Sequence, residues 1–339
     1  MKKYLFFAFI ILTLVCGVFF TACQRQQAGG VGQVFTLRLA HVAQEAEVFH
    51  VMALRFKEQI EQRSNGRIIV NIFPAGQLGN EREIIESLQL GVIDLGVVST
   101  ANVVNFVPAF AALDLPWVFR GWDHALAVAE QPFIQELFSL ANERDLAPLG
   151  FLHRGFRNVC NSVRPIYTPA DIRGLRLRVV ESPLFVATFA AVGANVTAMA
   201  WGEVFTAMQQ GAIDAAEMPL SQFYNERMFE VQNFYSLTEH IFAFSALIAS
   251  NTLMNRLPPD LQALVRETAA EVLRYSSLQV RADEAEQIRR IEARGVRVNT
   301  VPDAAKTEFR RMVQGFYDTF LATADPATVR FVSFIEATN

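Results

Sequence analysis

The sequence predicts an α/β protein built as two similar lobes with one long helix crossing both. Three observations carry that reading. From Val34 onward, short apolar runs alternate with helical patterns, as strand–helix–strand units around a largely parallel sheet do. The stretch Glu83-Ile-Ile-Glu-Ser-Leu-Gln89-Leu-Gly91-Val-Ile-Asp94 returns as Glu203-Val-Phe-Thr-Ala-Met-Gln209-Gln-Gly211-Ala-Ile-Asp214, roughly 120 residues later. The third is a segment from Asp260 to Arg294 that contains neither Gly nor Pro.

In chain order, Phe35 to Ala40 alternates apolar and polar residues and reads as a strand. Val48 to Arg63 has helical spacing, with Val48, Met52, Phe56 and Ile60 in one row, and Asn65-Gly66 ends it. Arg67 to Phe73 is the next strand. Glu81 to Leu90 is a helix stopped at Gly91, and Ile93 to Val98 is a strand. Leu257-Pro-Pro opens the long helix, which stops at Gly295 and would span roughly 50 Å at 1.5 Å per residue. Val296 to Val301 reads as a short strand and Ala304 to Ala324 as a further helix.

The first residues are of another kind. Lys2 and Lys3 precede an apolar run from Tyr4 to Phe20, then Thr21-Ala22-Cys23, the order of an export signal. A cysteine at the cut reads as a lipoprotein site, with residues 1–22 as signal peptide and Cys23 lipidated. Phe20 departs from the leucine more common three residues before such a cysteine. Residues 23–33 read as the lipidated cysteine and a flexible tether. The body then lies outside the cytoplasm; a rival reading is an uncleaved anchor.

With 30 basic against 34 acidic residues the chain is mildly acidic, and nothing suggests nucleic-acid binding, which needs a basic patch. Of three cysteines, Cys16 leaves with the signal and Cys23 carries lipid, so Cys160 has no internal partner and reads as a buried thiol. The sequence has no H-E-x-x-H, G-x-S-x-G, phosphate-loop or C-x-x-C motif. His41, His50, His124, His153 and His240 match no metal spacing. Asp214 and Glu217 could form a carboxylate pair, but Asp214 has a counterpart in Asp94, which argues for a shared structural role. No cofactor, metal or catalytic residue is expected.

An ordered set of motifs carries a resemblance. It runs through Phe73-Pro-Ala-Gly-Gln-Leu-Gly79, Leu88 to Asp94, Leu115-Pro-Trp-Val-Phe119, Gly174-Leu-Arg-Leu-Arg-Val179, Met199-Ala-Trp-Gly-Glu-Val204, Gln209 to Asp214, Glu217-Met-Pro-Leu220 and Leu257-Pro-Pro-Asp260. Over most of residues 35 to 300 the chain resembles the solute-binding subunits of TRAP transporters, the DctP-type extracytoplasmic receptors. The resemblance implies a two-lobed periplasmic-binding-protein fold (type II-like) that closes on a solute by hinge motion. It divides the chain into lobe I, 34–154 plus 243–282, and lobe II, 155–242 plus 283–339. It also implies a receptor that does no chemistry. Its partners would be a small organic acid, the membrane subunits of a TRAP permease and an accessory periplasmic lipoprotein. The protein would sit in the periplasm, lipid-anchored to the inner membrane.

The family's carboxylate-binding arginine matches Arg178, and a guanidinium fork suits a carboxylate. By the residues alone, Arg176 and Arg178 read as the solvated face of a strand. Arg157 matches a second cleft arginine, Trp201 an aromatic or apolar wall, and Ser99 and Asn102 polar contacts after a strand. Glu217-Met218-Pro219, with Glu217 and Met218 expected among the ligand-binding residues, replaces the more usual Glu-Asn-Pro. With Met218 in place of an amide, and Trp201, Phe223, Phe242 and Phe244 near, the expectation is a greasy pocket for a carboxylate with an apolar body. A branched or aromatic 2-oxo acid or a short fatty acid would fit, rather than a sugar acid. The alternative functions are a surface lipoprotein of the same fold used for sensing or adhesion, and an enzyme on the same scaffold.

Overall fold

A computed structural model describes residues 33–338. The export segment and Cys23 lie outside the described residues. The first strand–helix units follow the sequence pattern. β1 (Phe35–Ala40) leads through α1 (Val48–Arg63) to β2 (Ile68–Phe73), then α2 (Glu81–Gln89) to β3 (Leu95–Ser99). The start of α2 is fixed locally: Asn80 accepts from the Glu83 N–H at 3.0 Å, while the Glu83 carboxylate accepts from the Asn80 N–H at 2.8 Å. A short helix, α3 (Thr100–Val103), follows β3 directly; α4 (Trp122–Ala129) and α5 (Phe133–Asn142) come next.

The second half repeats the scheme with β5 (Arg176–Val179), α6 (Pro183–Ala191), β6 (Asn195–Ala198), α7 (Trp201–Gln209), β7 (Ala215–Pro219) and α8 (Leu220–Asn225). Two strands of 16 and 17 residues join the halves: β4 (Leu146–Asn161) and β8 (Phe234–Ser250). The sheet runs β2-β1-β3-β8-β4-β7-β5-β6, with β9 (Arg297–Thr300) beside β8. β1–β3 are parallel to one another, as are β5–β7; the crossing strands pair antiparallel with β3, with β7 and with each other, while β9 lies parallel to β8.

After α9 (Asn251–Arg256) comes α10 (Pro259–Ala293), one continuous helix of 35 residues. It packs on α1 in the first lobe and α8 in the second, so it crosses both. α11 (Asp303–Thr323) and α12 (Pro326–Ala337) complete the chain; α12 packs beside residues 108–113. Among the described residues, no helix is long and apolar enough to cross a membrane.

The internal repeat has a physical explanation. Gly91 and Gly211 take φ of 68° and 67°, the left-handed position that ends α2 and α7. Asp94 and Asp214 sit just before β3 and β7 rather than inside them. Each accepts a backbone N–H from the neighbouring parallel strand, Arg38 at 2.8 Å and Arg176 at 3.1 Å, and each carboxylate pairs with that same arginine. The repeated acid therefore clips two strands together in each lobe. It does not pair with Glu217, which meets Arg157 instead.

The core lies in three clusters. One sheet face of the first lobe packs Leu37, Leu39, Met52, Phe56 and Ile60 against Val265 and Val272 of α10. The second lobe has Val204, Met218, Phe223, Tyr235 and Ile291. A larger cluster on the other face runs through both halves, from Ile84 and Phe110 to Phe185 and Phe309. Packing on both faces explains why apolar residues dominate β3 and β7 instead of alternating with polar ones.

Candidate functional site

In an open parallel sheet a ligand sits where the carboxyl ends of the strands meet a change of direction. Here that place is a narrow internal cavity, about 20 Å³, room for a water or two. Its walls come from the segments that leave the strands. Val42 and Ala43 follow β1, Glu81 begins α2, Ser99 ends β3, Val180 follows β5, Trp201 begins α7 and Gln222 lies on α8. Arg154, Arg157 and Arg178 complete the lining, with Phe49 of α1. The amino ends of α2 and α7 lie at this lining, which favours negative charge there.

Three arginines converge, and two of them are already engaged. Arg157 forks onto Glu217, with Nη2 2.9 Å from Oε1 and Nε bonded to Oε2. His240 Nε2 approaches the same carboxylate at 3.3 Å. Burial alone would push Glu217 up, but the charge of Arg157 and the His240 and Arg157 hydrogen bonds hold it at about 2. Arg154 donates from Nη2 to Glu47 Oε1 at 2.6 Å, and its guanidinium lies 4.6 Å from the Phe49 ring centre.

Arg178 differs. It is 3% exposed, its Nε donates to the Met199 carbonyl at 2.9 Å, and it lies 5.6 Å from the Trp201 ring centre. Among the described residues, no carboxylate pairs with it. Burial pulls it down to about 10, with Arg157 pushing the same way and Glu217 opposing. A buried guanidinium held only by a carbonyl and a ring face is the cation of the three with charge left to neutralise.

Glu81 faces the same space. Its Oε1 accepts the Ser99 N–H at 2.7 Å and its Oε2 accepts from Asn102 Nδ2. Burial raises it above the ordinary carboxylate range, opposed by Ser99 and by the three arginines.

The cavity thus brings Arg178, Arg157, Trp201 and Ser99 together. It leaves out three other residues expected there. Asn102 stands behind Glu81 as its donor, and Glu217 stands behind Arg157. Met218 corrects the expectation most sharply. Successive strand residues face opposite sides, so with Glu217 toward the arginines Met218 points into the second lobe's core, fully buried beside Val204 and Tyr235. Phe223 packs on Tyr235, with ring centres 4.7 Å apart. Phe242 and Phe244 join an aromatic cluster with Phe119 and Phe151. None of these four residues lines the cavity, whose wall mixes Glu81, Ser99, Gln222 and three arginines with Val42, Ala43, Phe49, Val180 and Trp201.

Sequence reasoning did not single out Arg154, Glu81 or Gln222. Arg154 and Arg157 are three apart, a spacing that points to opposite faces of a regular strand. The β4–β8 register shifts between His153 and Phe156, where Gly155 takes φ of 77°, and this bulge brings both arginines to one cavity. Glu81, inside a helix-start signal, reads as a helix-end carboxylate.

Comparisons place this geometry. The model of the family described as bacterial extracellular solute-binding protein, family 7, matches residues 39–323. The 2,3-diketo-L-gulonate-binding periplasmic protein YiaO of Escherichia coli is 30% identical over 265 residues, covering 78% of this chain and 81% of that protein. A TRAP periplasmic solute-binding protein from Bordetella bronchispeptica, with density assigned as pantoate, superposes with a TM-score of 0.85 at 32% identity, over 90% of this chain and 99% of that one. One from a Bradyrhizobium species in complex with D-galacturonate gives 0.84 at 32% identity, over 89% and 100%. A two-lobed α/β fold, a cavity at the strand ends and a match over most of the length agree: the chain belongs to the bacterial extracellular solute-binding proteins of family 7, the receptors of TRAP transporters.

Proposed function

We propose that this receptor captures a small, polar carboxylic acid beside Arg178, in a cleft that widens beyond the present cavity when the lobes part, and hands it to the membrane subunits of a TRAP permease. The single observation that carries this reading is Arg178, a buried guanidinium with no carboxylate partner among the described residues. A guest carboxylate would take up its charge in a bidentate pair, strong where water is excluded. Glu81, Ser99, Arg154 and Gln222 then offer acceptors and donors to hydroxyl or keto groups on the rest of the guest. This supports a hydroxylated acid rather than one with an apolar body, because the residues expected to make the pocket greasy pack elsewhere. The acids named for the relatives, a diketogulonate, pantoate and galacturonate, share a carboxylate and further oxygens.

The lobe division at 154/155, 242/243 and 282/283 belongs to the same proposal. Its support is that β4 breaks register at 153–156 and β8 at 236–241, the places where both strands pass between lobes. Lipid anchoring through Cys23 and an accessory lipoprotein partner remain part of the reading, on the sequence alone. Capture without turnover fits a site whose one thiol nearby, Cys160, is pushed up to about 12 by burial.

Calorimetry with pantoate, D-galacturonate, 2,3-diketo-L-gulonate and 4-methyl-2-oxopentanoate tests the solute class. Binding of at least one of the hydroxylated or keto-sugar acids, with the apolar oxo acid weaker, is expected. Tight binding of the apolar acid with none of the others would overturn it.

A further inference from the structure

Among the described residues, two hydrogen bonds join the lobes on the flanks of the cavity. Glu226, just after α8, accepts the Gln44 backbone N–H at 3.0 Å through Oε1. Asn105, beyond α3, donates from Nδ2 to the Glu181 carbonyl at 2.8 Å. Gln44 follows the cavity residue Ala43, and Glu181 follows Val180, so both bonds flank the site. Neither Glu226 nor Asn105 lines it.

We infer that Glu226 and Asn105 are positioning residues that hold the lobes closed over the solute, and that closure takes up a proton at Glu226. The inference rests on the receptor reading above. Three observations support it. Both bonds join segments about 76 and 182 positions apart in the chain, so neither is a local turn; opening the lobes must break them. Glu226 faces Glu47, whose carboxylate is fully buried, with Arg154, the Gln44 N–H and Trp201 as its other polar neighbours. Arg154 is itself taken by Glu47, so it does little to offset two acids brought together. Burial and the Glu47 charge accordingly push Glu226 up to about 7.

The sign follows. With the lobes apart, Glu226 returns to an ordinary carboxylate value of 4.5. Its raised value in the closed form means that closure is favoured as pH falls through about 7, an advantage that grows until the open form is protonated too. Protonation on Oε2 leaves Oε1 free to accept from Gln44. Affinity for an acid already ionised at pH 6 should therefore rise about tenfold from pH 8 to pH 6.

The test uses stopped-flow tryptophan fluorescence with D-galacturonate, or pantoate if that binds more tightly. At pH 6, where the closed form holds Glu226 protonated, Glu226→Ala and Asn105→Ala should each raise the dissociation rate several-fold with the association rate nearly unchanged, because the solute contacts remain. Glu226→Gln, which mimics the protonated acid, should bind at pH 8 about as tightly as the wild type does at pH 6, and lose the pH dependence. Unchanged dissociation rates in both alanine variants, or a pH slope that survives in Glu226→Gln, would overturn the inference. Small-angle X-ray scattering without added acid separates this from the receptor reading. If no acid binds the wild type, the solute assignment fails, and the rim bonds are judged by scattering alone. A smaller radius of gyration at pH 6 than at pH 8, abolished by Glu226→Gln, supports them; identical profiles contradict them.

Discussion

Arg157 and Glu217 face each other from the antiparallel strands β4 and β7, and the guanidinium also reaches the Glu217 carbonyl at 3.0 Å. Both are buried, and His240 closes the third side. Glu217, itself approached by His240, holds the Arg157 guanidinium in place at the cavity wall. Replacing the carboxylate, as in Glu217→Gln, leaves a buried guanidinium uncompensated and should cost about 3–5 kcal/mol in urea unfolding at pH 7.

The same pair makes the fold sensitive to acid. Glu217 is held at about 2 in the folded protein, below its ordinary value of 4.5. Its stabilisation is fully present above that ordinary value and fades as pH falls through about 2. The wild type should lose about 2 kcal/mol from this group between pH 6 and pH 3, and Glu217→Gln should lack that component. Parallel urea titrations at the two pH values read the difference directly.

Gly155 is a backbone requirement at the β4 bulge. A Cβ there would meet Glu284 Oε1 and come within 3.1 Å of Trp122 Cζ2, at a φ of 77° that side chains rarely adopt. Gly155→Ala should lower unfolding free energy by about 1–3 kcal/mol. It should also weaken solute binding, since the bulge sets Arg154 beside Arg157. Thermal unfolding and calorimetry on the same sample show whether the two losses occur together.

Asp94 and Asp214 should behave as structural twins with no part in binding. Asp94→Ala removes the bonds to the Arg38 N–H and to Arg256 Nη2, the latter at 3.0 Å. Asp214→Ala removes those to Arg176. Each should destabilise by about 1–3 kcal/mol, with Asp94 the more costly because its side chain is 6% exposed against 20%. Solute affinity, measured well below the melting transition, should stay within about twofold of wild type in both.

Cys160 should be inert while the protein is folded. Its thiol is fully buried, donates to the Ala216 carbonyl at 3.4 Å and is pushed up to about 12 by burial. Only thiolate alkylates at a useful rate. Intact-mass spectrometry after iodoacetamide at pH 8 should show no label at Cys160 in the native protein and complete labelling in urea.

Much of the architecture was legible because apolar periodicity and helix-end chemistry act locally. Val48–Arg63 and the start of α2 at Glu81 emerged as read, and the long helix shifted by one residue at each end, to Pro259–Ala293. The repeat was visible, but its reason was not: the clip from Asp94 to Arg38 joins residues 56 apart, and no local pattern encodes it. Among site residues, Arg178, Arg157, Trp201 and Ser99 fell at the cavity because strand ends converge there. Met218 was misread because the side a strand residue faces is set by register, and Glu217 had already taken the cleft side. Arg154 was missed because a bulge, invisible in the residue pattern, reversed the side it would otherwise face.

Arg178 remains the centre of the account, and one substitution examines it most directly. In Arg178→Ala, calorimetric affinity for whichever acid binds the wild type should fall about 100-fold or more. Thermal stability should hold or rise, because among the described residues the lost cation is buried with only the Met199 carbonyl as hydrogen-bond partner. Wild-type affinity in the folded variant would contradict the assignment of the carboxylate to this guanidinium.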